Sequence, residues 1–213
     1  MPQSATLPHQ SWVTPEDGPP PDIYTSMLVQ VLTQKKEKLA QGNILDLGPV
    51  NEENVNFFAR RVKKLFVCDM FQALDKTNRF NLVGERFWKQ LDYPQELFDV
   101  VILWDILDLL EDKEAARLVK IIHGMTKPGG LIAVYAQDKQ SVSSVIDAFI
   151  VSEDYQVRLR PQPHLRFPRR SRHNREILKL LEPFVAQKSF IYRSGCREFL
   201  FGREKPPLSD KLS

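Results

Sequence analysis

The chain has 213 residues, 42% of them hydrophobic and 27% charged, which suits one globular domain with a sizeable core. A formal net charge of +3 is too small to name a partner, and two cysteines, Cys68 and Cys196, with no CxxC pair argue against a disulfide framework or a structural zinc site. No run approaches the roughly 20 apolar residues of a membrane span, and no basic stretch leading into an apolar run opens the chain, so a cytoplasmic protein is expected.

Residues 1–21 carry Pro2, Pro8, Pro15, Pro19, Pro20 and Pro21 and few large aliphatics, the composition of a tail that cannot offset its ordering entropy. One domain is expected over 22–203, with a polar tail at 204–213. From Asp22 a helix is predicted, with Ile23, Met27, Leu28, Val31, Leu32 and Leu39 on one face, Asp22 as its cap and Gly42 as its stop. Short apolar strands and amphipathic helices then alternate. Strands are predicted at 43–48, 65–69, 80–84, 98–104 and 130–136, the last after the turn Lys127-Pro128-Gly129-Gly130. Helices are predicted at 54–63, 71–78 and 111–125. Strands apolar along their whole length, alternating with helices, indicate a mostly parallel, doubly wound α/β sheet. Beyond Ala136 the pattern predicts a helix over 141–151, an edge strand over 155–160 and a helix over 174–182. An antiparallel hairpin around Ser194-Gly195 closes the domain.

Asp46-Leu47-Gly48 at the end of the first strand, Asp69 at the end of the second, the run from Phe98 to Leu107, and Lys127-Pro128-Gly129-Gly130 before the fifth occur in a fixed order. In that order they resemble the class I S-adenosylmethionine-dependent methyltransferases, over about residues 40–136 and more loosely over 174–203. The resemblance implies a Rossmann-like, seven-stranded sheet with an antiparallel C-terminal strand, and S-adenosylmethionine as cofactor. It places Asp46 and Gly48 beside the cofactor's methionine part and Asp69 on the ribose hydroxyls. Glu85 falls near the adenine amino group, Phe87 on the adenine, and Asp105 with Trp104 at the sulfonium and amino end. Read as residues alone, Asp46 and Asp69 can equally bond adjacent loops, and Asp105 and Asp108 can form the solvated start of a helix.

The family's first loop usually reads acid-x-Gly-x-Gly-x-Gly; here it reads Asp46-Leu47-Gly48-Pro49-Val50-Asn51-Glu52, with one glycine. Val50 resists positive φ and Pro49 removes an amide donor. Two functions follow. One is a methyltransferase whose acceptor the sequence does not identify; the other is a non-catalytic protein that keeps the same fold for binding or scaffolding through its Arg-rich segment. Residues 156–175, a basic insertion in the domain, hold Arg158, Arg160, Arg166, Arg169, Arg170, Arg172 and Arg175 with no acid. They suit an anionic acceptor, or a solvated loop that balances the acidic stretch 105–114. No RNA-binding motif accompanies them, so nucleic acid is not the favoured partner, and no membrane or metal partner is expected. No catalytic base is assigned; Asp105, His164 and His173 are candidates by location.

Overall fold

The computed structural model describes residues 23–34, 39–80, 85–137 and 144–205. It opens on a short strand, β1 (Ile23–Thr25), followed by a helix at Met27–Gln34. The helix predicted from Asp22 therefore starts later. Ser26 precedes it, and its Oγ accepts from the Val29 N–H, as an N-cap does. Asp22 and the proline-rich residues before it lie outside the described residues.

Next come β2 (Asn43–Asp46), the helix Glu52–Ala59, β3 (Lys64–Val67), the helices Met70–Phe80 and Glu85–Trp88, and β4 (Phe98–Trp104). The helix Asp112–Met125 leads into β5 (Thr126–Gln137). β6 (Val145–Val151), β7 (Gln156–Arg166), the helix Asn174–Leu180, β8 (Val185–Ile191) and β9 (Cys196–Gly202) complete the chain.

Six strands form the main sheet in the order β3-β2-β4-β5-β9-β8. β3, β2, β4 and β5 are mutually parallel, and β9 inserts antiparallel between β5 and β8. The expected seventh strand is not among the described residues: Phe80, predicted to open it, ends a helix, and 81–84 lie outside them. From β2 the chain goes to β3 on one side, then returns to β4 on the other. Strand order therefore reverses between β2 and β4, and an open α/β sheet holds its ligands at the carboxyl ends of the strands there.

One face of the sheet presents Leu45, Val101, Leu103, Ile132, Val134 and Phe199 to the core built with the helices Met70–Phe80 and Asp112–Met125. The other presents Ile44, Val100, Ile102, Trp104 and Tyr135 to the helices Met27–Gln34 and Glu52–Ala59 and to a second, three-stranded antiparallel sheet. That sheet has the order β1-β7-β6 and corrects two expectations. Residues 145–151, predicted helical, form β6. The run Val-Ile-Asp-Ala-Phe-Ile-Val is buried along both faces, with Ile146 in one core and Phe149 in the other, so it shows no alternation to separate strand from helix. The strand predicted as an edge is β7, the centre of the small sheet, and it runs on through Pro161 and Pro163. β1 pairs only with residues 156–158, so beyond them one side of β7 needs no ladder donor and tolerates the prolines.

β6 is an edge strand, and buried Asn54 covers it. Its Nδ2 donates to the Phe149 carbonyl (2.7 Å) and its Oδ1 accepts from the Val151 N–H (2.8 Å). Lys127-Pro128-Gly129-Gly130, expected as a turn before the fifth strand, is a bulge within β5: Phe98 faces Thr126, while Val100 faces Leu131. Gly129 takes φ 75° there, a conformation suited to glycine. Cys68 and Cys196 are buried and are not in a disulfide. Among the described residues no helix is long and apolar enough to cross a membrane.

Candidate active site at the carboxyl edge of the sheet

The four parallel strands end at Asp46, Val67, Trp104 and Gln137, so the turns that follow share one edge. Asp69, just past β3, has two donors from the chain itself. Its Oδ1 accepts from the Gln72 N–H (2.8 Å) at the start of the helix Met70–Phe80, and its Oδ2 accepts from the Val50 N–H (3.1 Å) of the first loop. An ionised carboxylate offers about four acceptor positions, so half-buried Asp69 keeps capacity for more donors.

Asp46 is buried, and its Oδ1 accepts both the Gly48 N–H (3.0 Å) and the Trp104 indole N–H (2.7 Å). Burial pushes its carboxyl up to about 6, against the pull of those two bonds. Trp104 is 1% exposed and stacks on Tyr135 with ring centroids 4.2 Å apart. A Cβ on Gly48 would collide with Trp104 Cδ1. The loop's single glycine thus admits the protein's own indole.

Asp105 has left-handed backbone, φ 54°, and a side chain 1% exposed. Arg169 ion-pairs with its Oδ2 at 2.5 Å, and the Gln137 N–H donates to its Oδ1 (3.2 Å). The solvated helix start that residue-level reading allowed is therefore not observed at either Asp105 or Asp108. Both are buried, and the arginines of the segment 167–173 dock on them. The Arg170 N–H donates to the Asp108 carbonyl (2.7 Å) and the Arg172 N–H to Asp108 Oδ1 (3.1 Å). The Arg172 guanidinium, 3% exposed, binds the carbonyls of Leu107 and Leu110 and the Asp112 carboxylate. Burial and then Asp105 push the Asp108 carboxyl up to about 7, against Arg172, Arg169 and Arg197. The basic insertion does offset the acidic stretch, but as a packed strap.

Phe87 is 6% exposed within the main cluster, edge-on to Trp88 at 4.7 Å. Glu85 opens the short helix that carries Phe87, and its side chain is outside the described residues. His164 is exposed on β7, and His173 precedes the helix Asn174–Leu180, its N–H donating to Glu176. The edge thus brings together Asp46, Gly48, Asp69 and Asp105. Among the described residues no group of three or more His, Cys, Asp and Glu could hold a metal.

Sequence reading missed Arg197 and Glu198, both buried on β9. The signal was present: two adjacent charges interrupt the apolar run 196–202. Glu198 Oε2 accepts from the Leu28 N–H and the Tyr192 hydroxyl (both 2.9 Å), and burial raises its carboxyl pKa.

No protein-family model and no curated protein matches the sequence. Solved structures do match its fold. An S-adenosylmethionine-dependent methyltransferase from Mesorhizobium loti is 14% identical, with a TM-score of 0.53 over 82% of this chain and 96% of that one. The fold is that of the class I S-adenosylmethionine-dependent methyltransferases. The 1,6-didemethyltoxoflavin-N1-methyltransferase of Burkholderia thailandensis, solved with its namesake ligand and S-adenosylhomocysteine, is 11% identical, with a TM-score of 0.52 over 84% and 77%. The N-methyltransferase NodS of Bradyrhizobium japonicum, also with S-adenosylhomocysteine, is 19% identical, with a TM-score of 0.50 over 83% and 85%. In this methyltransferase fold β9 is the antiparallel strand that the closing hairpin predicted. The residues present fit the cofactor unevenly. Asp69 has free acceptor capacity for ribose hydroxyls, whereas Trp104 fills the space beside Gly48 and Arg169 closes Asp105.

Proposed function

We propose that the chain is an S-adenosylmethionine-dependent methyltransferase in which Asp69 accepts the cofactor's ribose hydroxyls and Glu85 serves the adenine. The placement of Asp69 carries the reading. It stands at the end of β3, beside the strand-order reversal, tied to the first loop through Val50 and with acceptor capacity to spare. The bound cofactor would supply a methyl group activated on sulfonium. This chain's residues would bind and orient it and exclude water. Asp46 and Asp105 serve the amino-acid end only if Trp104 and Arg169 leave their present contacts. The strap 167–173 then also supplies arginines for an anionic acceptor.

A second reading, a binding protein that keeps the methyltransferase fold without catalysis, is supported by those same two contacts. Calorimetric titration with S-adenosylhomocysteine and, separately, with adenosine discriminates the two. The first reading expects S-adenosylhomocysteine to bind the more tightly. It also expects Asp69→Ala to weaken it about tenfold or more, the worth of a charge-assisted hydrogen bond. Equal binding of the two ligands favours the second reading. No heat from either, with folded protein, removes the cofactor and leaves the second reading.

A further inference from the structure

Two cavities among the described residues lie apart from Asp69. One, of about 550 Å³, sits at the opposite edge of the sheet, among Thr33, Arg60, Arg61, Glu153 and Tyr155, where Glu153 already pairs both arginines. The other lies at the start of β9 and has no such internal partner.

Arg197 is 5% exposed. Its guanidinium donates only to neutral acceptors: Nη1 to the Arg172 carbonyl (2.8 Å) and Asn174 Oδ1 (2.9 Å), and Nη2 to the Gln137 carbonyl (3.5 Å). Its Nε–H has no hydrogen-bond partner. A buried guanidinium with no carboxylate in direct contact and one N–H unbonded costs several kcal/mol of lost hydration, so folds seldom keep one without a use. Asp108 is the acid whose field reaches Arg197; its Oδ1 accepts from the Arg172 N–H, and the Arg197 guanidinium makes no hydrogen bond to it. Arg197 also lines a cleft of about 370 Å³ together with His173, Asn174, Arg175 and Ile191, a lining with no acid. That volume is at the small end of small-molecule sites. Arg175 is exposed, with its five donors available to a ligand. Ile191, the cross-strand partner of Arg197, is 66% exposed and gives the cleft an apolar wall. Arg197 reaches the carbonyl of Gln137, the last residue of β5, at the carboxyl edge of the sheet.

We propose that this cleft binds the oxyanion of a small organic acid, phosphate or carboxylate, with Arg197 as the buried anchor, Arg175 as the outer clamp and Ile191 against the ligand's apolar part. A planar fork beside a second guanidinium suits an oxyanion better than a spherical ion such as chloride. The site goes beyond methyl transfer and stands whether or not a methyl donor binds.

Calorimetric titration of the full chain with sodium phosphate and with sodium succinate, against sodium chloride at matched ionic strength, tests it. Saturable binding of at least one oxyanion is expected, with no counterpart in chloride. Phosphate alone saturating assigns a phosphate ester, succinate alone a carboxylate. Arg175→Ala is expected to weaken binding about fivefold, and Arg197→Lys about tenfold or more, from lost charge-assisted bonds. If neither anion exceeds chloride, or if both variants bind as the unmodified chain does, the proposal falls. Should Arg197→Lys fail to fold by circular dichroism, exposed Arg175→Ala decides alone.

Discussion

Asp46 takes two hydrogen bonds on one oxygen and still titrates near 6, because burial outweighs both. Asp108, with Oδ2 unpartnered, is pushed further, to about 7. Both folded values lie above the ordinary 3.8, so the fold favours the protonated forms. Their contribution is complete below about pH 4 and is lost as pH rises to about 6 for Asp46 and about 7 for Asp108, on the order of 3 and 4 kcal/mol respectively. Urea midpoints measured from pH 5 to 8 should therefore fall with pH. Asp46→Asn and Asp108→Asn keep an acceptor oxygen and should each flatten that fall; a parallel decline in both variants refutes the assignment. A sequence shows that Asp46 ends a strand. It does not show that the nearest donor is Trp104, 58 positions away.

At the scale of elements, the strap 167–173 departs most from its sequence. A run of arginines among prolines has no apolar period, and residue chemistry alone leaves its side chains in water or on a ligand. The fold instead turns Arg172 inward, where it binds the carbonyls of Leu107 and Leu110 and the Asp112 carboxylate, ahead of the helix Asp112–Met125. Truncating it strands the Leu110 carbonyl and removes the second donor from Leu107, and a buried unsatisfied group costs about 1–3 kcal/mol. Arg172→Ala should therefore lower stability by about 2–5 kcal/mol. Arg158→Ala, on the exposed side of β7, should stay within about 0.5 kcal/mol. Chemical denaturation of the two variants checks the contrast, and equal effects would return the strap to the solvated role. β6 gives the complementary lesson. Its apolar run is strong in sequence, but periodicity distinguishes strand from helix only when one face meets water.

Across the whole molecule, one face of the main sheet is closed by a small sheet rather than by helices alone, and β1 ties the N-terminal part of the chain into it. Ile23, Tyr24 and Thr25 pair with Arg158, Val157 and Gln156, and Tyr24 packs on Tyr192 at 4.3 Å. Deleting residues 1–21, the expected tail, should leave Tm unchanged. Deleting residues 1–26 removes β1 and the Ser26 cap and opens an edge of β7 to intermolecular pairing. Tm should then fall by several degrees, with aggregation visible by light scattering. An unchanged Tm in the longer deletion would show that β1 does not hold the small sheet.

What the sequence determined by itself is local and periodic: the β2 to β5 succession with its helices, the closing hairpin, and the acids at successive strand ends. Each of these follows from residues a few positions apart, where strand or helix periodicity and turn chemistry act directly. Only the tertiary structure decided which side chains meet. Trp104 lies against Gly48, Arg169 on Asp105 and Arg197 beside an acid-free cleft because strands and strap distant in sequence converge on one edge. In buried space, the nearest partner and the loss of water fix what a charged group does.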